Sequence, residues 1–190
     1  MSKRAGILVV VAAGGLWGLS EIFLGDVFYM FRIPMRAASM TAVGLTLLVM
    51  ARMLFDRPGS SIAAGLLAGG MRCLVPSLYI CHLVAIAIEA FAFDVSWTAF
   101  KAGRRRSIKR AWISAAVGAY ISYLAFGFVG AYGFGFTRWT EAGLTGILSW
   151  TLRSGSVTSL LLVGLVPLAI HAAGRIGHGA AEAEHENPIG

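Results

Sequence analysis

Two acidic side chains interrupt a stretch of sequence that is otherwise apolar enough to lie in a lipid bilayer. The stretch is GLWGLSEIFLGDVFYMFRIPMR, residues 15–36, and it carries Glu21 and Asp26 before it ends in arginines. An ionised carboxylate at the centre of a membrane helix costs roughly 2.5 to 3.5 kcal/mol, so Glu21 requires a partner, a proton, a wet cavity or a shallow position. Each of these solutions implies a different chemistry, from ligand binding to proton transfer or helix packing.

Helical spacing places Glu21 on one face of the first helix with small residues. Gly14, Gly18 and Glu21 are separated by four and three residues, and Trp17 lies beside them. Small residues at this spacing let a second helix approach closely. We therefore expect Glu21 to face protein or a cavity. The alternative is a pure packing stripe in which Glu21 is neutral or bonded to a serine or a backbone group.

Other ionisable groups are expected in the same half of the membrane. Arg72 ends the predicted third helix, His82 follows early in the fourth, and Arg153 precedes the sixth. Charges from several elements at one depth favour a polar ligand pocket, and an excess of arginines favours a ligand with a carboxylate or phosphate. The candidate substrate-binding residues are Trp17, Glu21, Asp26, Arg32, Arg36, Arg72, His82 and Arg153.

Signatures of catalysis and of metal binding are weak in this sequence. Glu89 follows His82 by seven residues, whereas metal ligands on one helix are three or four residues apart. We interpret Glu89 as a carboxylate that reaches the membrane interface, with a proton relay or a contact with a partner as the alternatives. No HExxH, GxSxG or P-loop motif occurs, so we predict no enzyme, no metal and no cofactor. An intramembrane enzyme that uses His82 with Glu21 or Glu89 is a further alternative.

The composition indicates the elements that must position these residues. Of the 190 residues, 57% are hydrophobic and 13% are charged, which is typical of an all-α, polytopic integral membrane protein with a single helical domain, residues 1–175. Apolar runs predict about six transmembrane helices, at 5–27, 34–55, 60–75, 77–93, 111–133 and 156–173. Pro76 divides the third helix from the fourth. The RSGS stretch at 153–156 separates a short interfacial or re-entrant piece from the sixth helix, which bends near Pro167.

The basic residues predict the orientation of the chain. Six of the sixteen lysines and arginines lie in KAGRRRSIKR, residues 101–110. The positive-inside rule therefore places both termini in the cytoplasm of a multi-pass protein of the plasma or inner membrane. The net charge of +7 is assigned to topology and lipid headgroups, so the lipid bilayer is an expected partner and nucleic acid is not. The polar, acidic tail at 176–190 is predicted to be disordered.

Three local features are similar to one family of membrane proteins. The first helix carries Ala12, Ala13, Gly14 and Gly18; WGLSEIFLG precedes IPMRAASMTAVGLTLLVMA; and GSSIAAGLLAGGMRCL forms a glycine-rich third span. With six spans and both termini inside, the chain resembles the substrate-binding S components of energy-coupling factor (ECF) transporters over most of residues 5–174. The mixed Ala and Gly series departs from a clean AxxxA repeat. The N-terminal histidine motif of the cobalt and nickel members is absent.

This resemblance implies a function and a set of partners. A vitamin-like or other small solute would bind in the outer half of the bundle, under the loop between the first two helices. The implied partners are a transmembrane coupling protein and two ATPases, with Ala13, Gly14 and Gly18 as the partner-packing residues. The alternative is a small membrane scaffold or assembly subunit without a solute pocket, for which the 24 glycines would equally suit tight helix packing.

Overall fold

The computed structural model describes residues 3–74, 80–100 and 107–186, and this part of the chain is helical without any strand. The helices are α1 (Lys3–Met30), α2 (Arg36–Leu54), α3 (Ser60–Arg72), α4 (Ile80–Phe100), α5 (Ile108–Phe128) and α6 (Thr137–Glu186). A π-helical turn, Val129–Gly133, extends α5. The predicted all-α class is confirmed for the described residues.

Five of the helices are long and apolar enough to cross a membrane. They are α1, α2, α4, α5 with its π-helical turn, and α6. The exception is α3, whose 13 residues measure about 20 Å along the helix axis, against a bilayer core of about 30 Å. The described residues therefore provide five candidate spans and one short helix where the sequence predicts about six spans.

Side-chain contacts define the two ends of the bundle. Thr41 of α2 bonds to Glu89 of α4, and Asp56, just beyond α2, accepts a hydrogen bond from Trp97 near the end of α4. The two helices therefore run parallel, which gives an Arg36 end, where α2 and α4 begin, and an Asp56 end, where α4 ends and α5 begins. In the predicted orientation the Arg36 end faces outward. Residues 101–106, most of the basic loop, lie outside the described residues, but the helix ends that flank them are at the Asp56 end.

The core surrounds α2, which packs against each of the other helices. Its largest fully buried apolar side chains are Trp17 from α1, Phe93 and Trp97 from α4, and Leu45 and Leu48 from α2. By contrast, α1 lies at the edge of the bundle and leaves one apolar face uncovered. Such a face suits contact with lipid.

The structure corrects two predicted helix boundaries. The fourth helix was expected to end near residue 93, but α4 continues to Phe100 because the carboxylate of Asp94 is bonded inside the protein. The RSGS stretch at 153–156 lies within α6 rather than in a break. Gly155 is buried there against the ring of Tyr120, so its lack of a side chain serves helix packing.

Three further features describe the backbone and the length of α6. Its backbone leaves helical geometry at Gly143, where φ is 60° and ψ is −159°, a conformation that is essentially restricted to glycine. Pro167 lies inside the helix. The helix is described to Glu186, and the disorder expected for residues 176–190 stays a prediction. The predicted division at Pro76 and residues 187–190 lie outside the described part of the chain.

Candidate functional site

A buried carboxylate from α4 occupies the middle of the bundle. The Glu89 side chain is only 7% exposed, and its Oε2 atom accepts a 3.0 Å hydrogen bond from Thr41 Oγ1 of α2. Its Oε1 atom has no hydrogen-bond partner among the described residues. The prediction that Glu89 reaches the membrane interface is therefore wrong, because α2 covers this face of α4.

A glycine of α2 makes room for this carboxylate. A Cβ atom at Gly44 would lie 2.6 Å from Glu89 Oε1 and 2.7 Å from the Trp17 ring, closer than real side-chain contacts allow. Gly44 thus lets α1 and α4 place Trp17 and Glu89 together against α2. No feature of the sequence distinguished Gly44 from the other glycines.

A second carboxylate lies near the first, on α1. Trp17 is fully buried, and its Nε1–H group donates a 3.3 Å hydrogen bond to Glu21 Oε1. Glu21 is half-buried and interacts electrostatically with Glu89. The predicted stripe therefore places Glu21 toward protein, as its spacing indicated. Glu21 and Glu89 together form an acidic pair between α1 and α4.

One buried arginine interacts with the Glu21 member of this pair. Arg72, at the end of α3, is 5% exposed and interacts electrostatically with Glu21, although no salt bridge joins them among the described residues. Its Nη1 atom has no hydrogen-bond partner within the described part of the chain. The same arginine and Arg36 both interact electrostatically with His82, which is exposed at the beginning of α4. Charges of both signs therefore meet where α1, α3 and α4 converge.

Hydroxyl groups extend this cluster toward α5 and α6. The Tyr123 hydroxyl lies 2.8 Å from Thr158 Oγ1, and Thr158 donates a 3.2 Å hydrogen bond to the backbone oxygen of Ala38. Tyr123 also interacts with Thr41 and with Glu89. The polar network thus joins α2, α4, α5 and α6. Isolated hydroxyl residues are common in apolar segments, so their positions in the sequence do not distinguish these residues as part of a site.

The structure brings together only part of the predicted binding set. Trp17, Glu21 and Arg72 belong to the central cluster, and Arg36 and His82 lie at its edge. Three other candidates are exposed and make no described contact with the cluster. They are Asp26 at the end of α1, Arg32 in the connection to α2, and Arg153 on α6. Arg32 has a left-handed backbone, with φ of 49°.

The predicted partner-packing residues are covered by the chain itself. A Cβ atom at Gly14 would lie 2.7 Å from the backbone oxygen of Ala64, and one at Gly18 would lie 2.9 Å from Met71. Ala13 is also buried. The small-residue stripe therefore provides close contact with α3 rather than a free docking surface.

A second polar cluster, missed by the sequence analysis, holds the Asp56 end together. The Arg52 guanidinium is 2% exposed and lies 3.2 Å from both Asp94 Oδ1 and Asp56 Oδ1. Asp94 also accepts backbone N–H groups of Gly59 and Ser61 at the start of α3, at 3.0 and 3.4 Å. This carboxylate satisfies donors that a helix N-terminus leaves free. We interpret the cluster as a structural clamp among α2, α3 and α4.

Metal binding finds no support in this geometry. Among the described residues, no group of three or more His, Cys, Asp or Glu side chains is placed to hold a metal ion.

Comparisons with protein-family models, with curated proteins and with solved structures find no match to this chain. The candidate functional site is therefore the polar cluster around Glu21, Arg72 and Glu89.

Proposed function

We propose that this chain is a multi-pass protein of the cell membrane that binds a small polar solute among α1, α2, α3 and α4. It would act as the substrate-binding subunit of an ECF-type uptake transporter. The observation that carries this proposal is that Glu89 Oε1 and Arg72 Nη1, on buried groups of opposite charge, have no hydrogen-bond partner among the described residues.

These unused atoms favour occupation by a ligand. A buried donor or acceptor without a partner costs about 1 to 3 kcal/mol, and a charged group costs more. A solute that supplies an acceptor to Arg72 and a donor to Glu89 would remove both penalties. Because the cluster holds Arg72 together with the carboxylates Glu21 and Glu89, the preferred ligand carries an anionic group together with an amine or another strong donor.

ATP-driven transport would require further subunits, because the sequence contains no P-loop motif. A transmembrane coupling protein and two ATPases would supply the energy, as the resemblance implies. Since Gly14 and Gly18 contact α3, the coupling protein would use the opposite face of α1, where Ala12, Leu16 and Leu19 are exposed.

Ligand binding to the purified protein tests this proposal. Native mass spectrometry should detect a co-purifying small molecule, and a panel of vitamins and amino-acid-like metabolites should include one that raises the melting temperature. Glu89→Gln and Arg72→Gln should each weaken binding of that compound about tenfold or more, because each removes a charged hydrogen bond.

Arg153→Gln is the matched control, because Arg153 is exposed and lies apart from the cluster. It should leave binding unchanged. The solute-binding proposal fails if no compound in the panel stabilises the protein and none co-purifies. It also fails if binding is insensitive to both cluster variants. Either result would favour the scaffold alternative.

A further inference from the structure

An open apolar groove lies between α1 and α3 at the Asp56 end. It has a volume of about 450 Å³. Its walls are apolar side chains of α1 and α3, including Ile7, Val11, Ala63 and Leu67, and all four of these are exposed. The groove therefore opens on the same side of the molecule as the uncovered face of α1.

The packing of α1 on α3 explains why the groove exists. The two helices touch closely at Gly14 and Gly18, where small residues let the backbones approach. Nearer the Asp56 end, the Phe55 ring packs on Gly6 and takes part of the space between the helices. The remaining space is the groove, with Phe55 as part of its lining.

The groove ends at a basic residue whose charge is not neutralised nearby. Arg57 lines it, is exposed, and makes no ion pair among the described residues; its guanidinium lies 6.0 Å from the centre of the Phe55 ring. The neighbouring carboxylate of Asp56 is already bonded to Arg52 and Trp97. Arg4, in the first turn of α1, is exposed at the same end.

We propose that this groove binds one acyl chain of an anionic phospholipid, with Arg57 in contact with the lipid phosphate. The apolar groove suits the acyl chain of such a lipid, and Arg57, which has no ion pair among the described residues, suits its phosphate. The Asp56 end is also where the flanks of the basic loop lie, and the positive-inside rule places it at the cytoplasmic leaflet, whose anionic lipids attract exposed arginines. The site is separate from the cluster around Glu89.

Lipid retention by the full-length protein tests the proposal. Protein purified in detergent is incubated with phosphatidylglycerol or phosphatidylcholine of identical acyl chains, and bound lipid is counted by native mass spectrometry. Wild-type protein should retain phosphatidylglycerol in preference. Arg57→Gln should weaken its binding about fivefold, since one basic residue near an anionic lipid contributes about that factor.

Two groove-filling variants test the acyl-chain contact independently of charge. Ala63→Trp enters the groove from α3 and Val11→Trp enters from α1, and each should reduce retention of both lipids. Arg110→Gln is the matched control, because Arg110 is exposed near the beginning of α5, at the same end but outside the groove. It should retain phosphatidylglycerol like wild-type protein, as should Glu89→Gln, which separates this test from that of solute binding.

Three results would overturn the proposal. The first is equal retention of the two lipids by wild-type protein. The second is unchanged retention of phosphatidylglycerol in Arg57→Gln and in both tryptophan variants. The third is a dimer that the tryptophan variants convert to a monomer without any change in lipid retention, because the groove would then be an interface between copies of this chain.

Discussion

At the scale of single residues, Glu89 depends on one hydrogen bond from Thr41. We predict that Thr41→Val lowers the free energy of unfolding by about 1 to 3 kcal/mol, because it leaves a buried carboxyl group without its described partner. The cost should be smaller in a Glu89→Leu background, where Thr41 keeps only its interaction with Tyr123. Denaturant titration in mixed micelles measures both differences.

The exposed Thr140 provides the control for this pair. Thr140→Val should change the free energy of unfolding by less than about 0.5 kcal/mol in either background. An equal effect of Thr41→Val with and without Glu89 would contradict the assigned hydrogen bond, because residues that interact are not additive.

Asp94 is the second residue whose removal should be costly. We predict that Asp94→Ala destabilises the protein by about 3 to 5 kcal/mol, because the Arg52 guanidinium would remain buried without its buried partner. Asp94→Asn should cost less, since its side-chain oxygen still accepts a backbone N–H group at the start of α3.

Asp56→Ala is the comparison for the Asp94 variants. Asp56 contacts the same arginine at the same distance but is 43% exposed, so we expect a loss on the order of 1 kcal/mol. The thermal unfolding of the three variants in one detergent gives the order. If Asp56→Ala proved the more damaging variant, the assignment of Asp94 as the central ion of the clamp would be wrong.

At the scale of elements, continuous apolar runs were sufficient to locate most helices. The predicted spans 5–27, 34–55 and 111–133 correspond closely to α1, α2 and α5 with its π-helical turn. The predicted helix boundaries were wrong where a polar or small residue makes a tertiary contact that lets the helix continue. Asp94 continues α4 because Arg52 neutralises it, and Gly155 continues α6 because it packs on Tyr120.

The contact between α1 and α3 yields a prediction of its own. Gly14→Leu should destabilise the protein by about 1 to 3 kcal/mol or more, because the new side chain collides with the backbone of α3. Gly15→Leu is the matched control, since a Cβ atom there meets nothing within 4 Å. Unfolding of the isolated protein distinguishes the two variants.

A destabilised Gly14→Leu monomer would show that the glycine serves packing within the chain. Equal stability of the two leucine variants would contradict the close approach of α1 and α3. It would also support the partner-packing role that the family resemblance implies for Gly14.

At the scale of the whole molecule, the sequence identified about half of the polar centre. Trp17, Glu21 and Arg72 were predicted from helical spacing and shared depth, and the structure places them together. Thr41 and Tyr123 were missed because their role depends on contacts with helices distant in sequence. Periodicity can place a residue on a face of its own helix, but it does not indicate which helix covers that face.

The arrangement of the helices makes a prediction about orientation in the membrane. Pro58 lies at the Asp56 end, where α4 ends and α5 begins, whereas Thr137 begins α6 at the Arg36 end, and both are exposed. In a background with Cys73 and Cys81 replaced by serine, an impermeant maleimide added to intact cells should label Thr137→Cys and not Pro58→Cys. Permeabilisation should make both positions reactive, which is the control for accessibility.

Labelling of Pro58→Cys alone in intact cells would show that the topology is inverted, with the Glu21, Arg72 and Glu89 cluster toward the cytoplasm. Such an inverted cluster would fit a solute taken from inside the cell, so this measurement decides the direction from which ligand reaches the site.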